Sequence, residues 1–178
     1  MKVTKTLIAI AAAATVMAGI APAPATAAEE VKWVRSIPFN LALEGALAAM
    51  ACGDAAGSHV SVGVMDFSGQ MKVLLVPDNA TLVGENVLPR KMYAALLLQQ
   101  ATSPIVLKTS RPERSETGIT GNVLDRISPG SVISPGGVPL FAGKDFVGVL
   151  GVGGATTPGD VDTKCAQAGA DKIKDRLN

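Results

Sequence analysis

Glycine and proline punctuate the last third of this 178-residue chain so densely that it accommodates little besides an antiparallel hairpin followed by a helix. Pro135-Gly136-Gly137 reads as a tight turn, and residues 138–142 as a short apolar strand. Gly143-Lys144 is a two-residue hairpin link, and 145–152 forms the return strand. Gly151-Val152-Gly153-Gly154 then closes the strand in a second glycine-rich turn. Thr157-Pro158-Gly159-Asp160 has the form of a capping box with proline at the first helical position. A last helix is expected to about Leu177, with Val161, Cys165, Gly169, Ile173 and Leu177 on one stripe. Ala166, Ala168, Gly169 and Ala170 are small enough to let that helix pack closely.

Upstream, Pro38 to about Ala55 predicts a helix: Phe39, Leu43, Leu47, Met50 and Ala51 recur at three- to four-residue spacing, and Gly57 stops it. Val60–Phe67 and Gln70–Pro77 alternate as strands around the Ser68-Gly69 turn. A second helix is expected from Val87 to about Ala101, with Asn86 as N-cap, Pro89 in its first turn, and Leu88, Met92, Ala95, Leu96 and Gln99 along one face. Thr102-Ser103-Pro104 ends it. Residues 105–135 read as a long polar loop with one helical turn near 121–126. The order helix–strand–strand–helix–strand–strand–helix predicts a single α+β domain. It has an antiparallel sheet flanked by helices, with the first and last helices packed together and no internal repeat.

Residues 1–28 have the three parts of a secretory signal peptide: Lys2 and Lys5, the apolar run Leu7–Ile20, and the small residues Ala25-Thr26-Ala27-Ala28. The run is short for a membrane anchor, and the first cysteine, Cys52, is far from the cleavage point, so no lipoprotein anchor is expected. The expected mature domain, 29–178, carries no membrane span and is exported, periplasmic or extracellular. Losing Lys2 and Lys5 lowers the basic count from 16 to 14 against 15 acidic residues, and no block of like charge stands out, so nucleic acid is not an expected partner. With Trp33 and Tyr93 each alone of its kind, the core must be aliphatic. An aliphatic surface with little net charge also suits a homo-oligomer.

Several residues could carry chemistry, each beside a plainer reading. The turn at 151–154 could hold a carboxylate or phosphate on its amides, or be only a tight turn; it lacks the βαβ context of a dinucleotide site. Arg90 and Lys91 could face an anionic ligand, or be a solvated helix edge. His59, the single histidine, could ligate iron, or be an edge residue. Met50, Met65, Met71 and Met92 could give a weak axial ligand, or fill the core. Glu113 and Glu116 could share a hard cation, or pair with Arg111 and Arg114. One histidine cannot complete a zinc site. Cys52 and Cys165 are a disulfide in an oxidising compartment, or two buried thiols. No nucleophile elbow, activated cysteine or matched carboxylate pair is present, so binding is favoured over catalysis.

Taken together, Gly136-Gly137-Val138-Pro139, the glycines from 143 to 154, and Asp162-x-x-Cys165-Ala166-x-Ala168-Gly169 resemble the GlcG/HbpS-like family of small haem-binding and haem-responsive proteins. Val64–Gln70 is similar to that family's hairpin, and Lys91-Met92-Tyr93-Ala94-Ala95 to its K-A-x-T-A helix. Ala94 stands where the family has threonine, and Val76 or Pro77 where it often has arginine. The resemblance covers about 38–173 and is weakest over 77–90 and 103–130. It implies a small oligomeric α/β domain, a Cys52–Cys165 bridge, and an exported haem- or tetrapyrrole-binding accessory or sensing protein. The implied groove is bordered by Arg90, Lys91, Gly136, Gly137, Gly153 and Gly154, with His59 as the only imidazole. The alternatives are a GlcG-type accessory or enzyme acting on a small carboxylate, and an oligomeric scaffold without ligand.

Overall fold

The structure is a computed structural model that describes residues 35–103, 131–155 and 160–177. The leader, the turn at 121–126, Glu113 and Glu116, and the start of the capping box at 157–159 lie outside the described residues.

Among the described residues, seven helices and strands follow in the expected order. Helix α1 spans Phe39–Ala55, strands β1 and β2 span Ser61–Asp66 and Met71–Leu75, and α2 spans Leu82–Leu98. Strands β3 and β4 span Gly137–Ala142 and Asp145–Gly153, and α3 spans Asp160–Ile173 before a 3-10 turn at Lys174–Arg176. The sheet is antiparallel throughout, ordered β2-β1-β4-β3.

Pro38 caps α1 with φ −65°, already set for helix entry. Gly57, at φ +67°, ends it: its amide reaches Asp54 and that of Ser58 reaches Gly53, a Schellman closure. The buried face of α1 is not the expected one. Ala42, Gly45, Ala46, Ala49 and Gly53 turn inward, whereas Phe39 and Leu47 stay 59% and 52% exposed. Close approach explains the choice. A Cβ on Gly169 would sit 2.6 Å from the Gly45 carbonyl oxygen, so α1 and α3 cross at small residues where leucines would hold them apart. Cys52 and Cys165 join the same pair through a disulfide, with Cα atoms 5.3 Å apart.

Each sheet face has its own core. On one side Val62, Val64, Leu150 and Val152 meet α1 and α3. On the other, Met65 and Val149 meet Leu88, Met92 and Ala95 of α2. Strand β1 is therefore buried along all six residues. The register sets Leu74, Gly63, Gly151 and Gly137 in one row across the sheet beneath α2. A Cβ on Gly151 would lie 2.4 Å from Met92 Cγ, and one on Gly63 2.9 Å from its Sδ, so the glycines form the trough that seats the helix.

Helix α2 begins at Leu82, five residues before the expected start, and places Pro89 inside. An interior proline costs about 3 kcal/mol. Full burial of Leu88 and Met92 on the sheet offsets that cost, and Thr81, a cap-type residue directly before the helix, was the sequence signal for the earlier start. The Asp66 carboxylate holds the β1–β2 turn, accepting from the Ser68 amide and hydroxyl and the Gln70 amide. Burial pushes its pKa up, but these bonds and Lys72 outweigh burial and hold it below the usual value.

Candidate functional site

One end of the sheet collects most of the residues singled out in the sequence. Ser61 pairs with Gly153 and Gly137 with Gly151, so the segment before β1, the end of β4 and the start of β3 are side by side. His59 and Ser61 therefore neighbour Gly153 and Gly154, and Gly136 lies one strand further on.

Lys91 enters this end from α2 and is not a solvated helix edge: it is 2% exposed. Its Nζ donates to the carbonyl oxygens of Pro135 and Val152, each at 2.7 Å, and to Asp162 Oδ2 at 3.0 Å. An ammonium has three protons, and all three are taken. Burial pushes its pKa down, while the Asp162 charge and hydrogen bond pull it back; burial wins. Asp162, in the first turn of α3, accepts the Ala155 amide on Oδ1 at 3.2 Å. It is a carboxylate at a helix N-terminus, where the backbone amides favour negative charge. The lysine of Lys91–Ala95 and the aspartate of Asp162–Gly169 thus form one buried ion pair linking α2, the glycine turns and α3.

Gly136 is fitted to that pair. Its φ is +106°, and a Cβ there would stand 2.4 Å from the Val152 oxygen and 3.2 Å from Lys91 Nζ. Thr102, missed in the sequence because it read only as a helix end, is fully buried and accepts the Gly137 amide at 3.0 Å. Two amides of the turns are thus served from within, by Thr102 and by Asp162, the internal carboxylate. Asp162 stood inside the motif as a single letter, and only proximity gives it a role.

Other groups on this face of the sheet and around it remain accessible. His59 and Arg90 are exposed, and Tyr93 is 41% exposed on the same helix as Arg90. Met71 and Leu74 of β2 are exposed at 37% and 45%; they pair with Met65 and Gly63, toward the β1–β2 turn where the Tyr93 hydroxyl meets the Gly69 carbonyl, and away from His59. Leu74 ends the glycine row where α2 no longer covers the sheet. Among the described residues, the Ser61 hydroxyl is buried without a hydrogen-bond partner. Ala94, where the resemblance has threonine, is fully buried. No group of three or more His, Cys, Asp or Glu side chains able to hold a metal occurs among the described residues, and none of their helices is long and apolar enough to cross a membrane.

Comparison with known proteins places this geometry. The profile of the family described as haem-degrading protein HbpS-like matches residues 37–171. A crystal structure of HbpS is similar at 30% identity and a TM-score of 0.68, over 80% of this chain and 93% of that one. A double mutant of Streptomyces reticuli HbpS is similar at 27% identity and 0.67, over 86% and 97%. A PduOC–haem complex shares the fold at 22% identity and 0.66, over 78% and 95%. No functionally curated protein matches the chain by sequence.

Proposed function

The chain belongs to the HbpS-like family of haem-degrading proteins, and from that premise we propose that it is an exported, self-associating protein that binds haem or a related tetrapyrrole. The observation that carries the reading is the strip of the sheet that α2 leaves uncovered, Met71 and Leu74 of β2, with Tyr93 against the β1–β2 turn and an exposed guanidinium at Arg90 on the same helix. An exposed imidazole, His59, stands before β1, beyond the Ser61 end of that strand. A tetrapyrrole with two carboxylates asks for an apolar slot, positive charge and, where iron is ligated, a donor. The residues fit that demand. Arg90 would face the propionates, His59 would offer its imidazole to the iron, and the unpartnered Ser61 hydroxyl is a second polar contact. Bound haem would supply an iron centre for ligand or electron chemistry; the chain's own part is to hold it and limit its exposure to water.

Lys91, with every proton taken, supports the site by fixing α2 and the glycine turns. Gly136, Gly137, Gly153 and Gly154 shape its floor. The internal Asp162 carboxylate on the Ala155 amide favours haem over a small carboxylate bound at that turn. Export rests on the leader at 1–28, and a mature protein beginning at Glu29 in the exported fraction is the expected product.

Hemin titration of the mature protein tests the reading. A saturable, sharpened Soret band is expected, with dissociation in the micromolar range because the family threonine is absent at Ala94. No saturable band overturns it. A His59→Ala spectrum identical to wild type removes histidine ligation, and unchanged affinity in Arg90→Ala removes the proposed propionate contact.

A further inference from the structure

On the sheet face opposite α2, α1 carries a groove that the proposed function leaves unused. It encloses about 540 Å³ and is lined by Phe39, Asn40, Leu43, Glu44, Leu47, Ala48 and Lys172. Its walls are apolar and its polar groups lie at the rim. Phe39 and Leu47 are more than half exposed, which a soluble domain rarely tolerates for two large side chains in one groove without a partner. The close crossing of α1 and α3 at Gly45 and Gly169 turns these residues outward, so the groove follows directly from the packing beneath it.

We infer that this groove is a homodimer surface, in which α1 of one copy lies antiparallel along α1 of a second copy. Shape and charge both select a second copy of this chain. The groove has a bulky end, Phe39, and a small end, Ala48. Reversing one copy about a two-fold axis near Leu43 sets each Phe39 over the other copy's Leu47 and Ala48. Lys172 and Glu44 border the same groove, so the same axis brings the Lys172 ammonium of one copy toward the Glu44 carboxylate of the other. Glu44 also meets Arg176 of its own chain, which holds the carboxylate at the rim. An isologous contact of this kind closes on itself and leaves both α2 faces open. The inference rests on the self-association reading above and assigns it a surface.

Phe39→Glu and Leu47→Glu test it, because exposed positions on α1 leave the fold intact; circular dichroism checks that. Light scattering across the micromolar range should give a dimer for wild type and a monomer for the double variant, with the hemin Soret titration unchanged. A wild-type monomer overturns self-association and this surface together, and a variant that associates like wild type overturns the surface alone. A hemin response lost in wild type overturns the haem reading and leaves the dimer standing. Chemical cross-linking fixes the orientation. Phe39 and Leu47 lie about 12 Å apart along the helix at 1.5 Å per residue. A short bismaleimide should therefore link a Phe39→Cys chain to a Leu47→Cys chain, and link neither variant to itself. The reverse pattern overturns the antiparallel arrangement.

Discussion

Replacing Lys91 by methionine keeps the unbranched stem, one atom shorter, and removes its charge and three hydrogen bonds. The Pro135 and Val152 carbonyls lose their donor, and Asp162 keeps the Ala155 amide without its counter-ion. Breaking one member of a buried ion pair costs about 3–5 kcal/mol. For a domain of this size each kcal/mol moves the melting temperature by roughly 3–4 °C, so Lys91→Met should melt about 9–20 °C below wild type at neutral pH. The pH dependence is the sharper test. Burial holds the folded pKa of Lys91 below 10.5 despite Asp162. Between that folded value and 10.5 the unfolded chain binds more protons than the folded one, so Lys91 makes wild-type stability rise with pH in that window. An exposed ion pair has the opposite sign, losing stability as its lysine deprotonates. Thermal melts of both proteins followed by circular dichroism from neutral pH to about 10.5 should show the gap between them widening. A variant melting within about 2 °C of wild type, or a gap that closes with rising pH, would refute the argument that a desolvated lysine clamps this end of the sheet.

The glycine trough predicts that Gly151→Ala loses about 1–3 kcal/mol through overpacking against Met92. Met92→Ala in the same chain should return part of it, and a double variant no better than the sum of the singles sinks the trough argument. The disulfide predicts no free thiol under denaturing, non-reducing conditions; two per chain would refute it. With 113 positions between the cysteines, reduction should lower stability by roughly 4–5 kcal/mol in the chain-entropy picture.

The element order, the antiparallel sheet and the 143–144 hairpin turn were legible in the sequence because they depend on local rules. Alternation, two-residue turns and glycine at positive φ act over a few residues, and Gly57, Gly69, Gly136, Gly143 and Gly154 all adopt it. The pairing of the first and last helices was legible through the two cysteines and the small residues of α3. Which face of α1 turns inward was not. Periodicity ranks a face by hydrophobicity, and it chose Phe39, Leu43 and Leu47. The fold instead buried alanine and glycine, because the contact with Gly169 is decided by how closely two helix axes approach. The early start of α2 was also set by tertiary contact: Leu88 and Met92 gain enough on the sheet to carry the helix through Pro89. Lys91 and Asp162 show the same division. Each stood in a motif, and the sequence marked both as charged. Only the three-dimensional approach of α2 to the N-terminus of α3 withdrew them from water and made each the other's partner, since desolvation and pairing are properties of neighbours 71 positions apart in the chain.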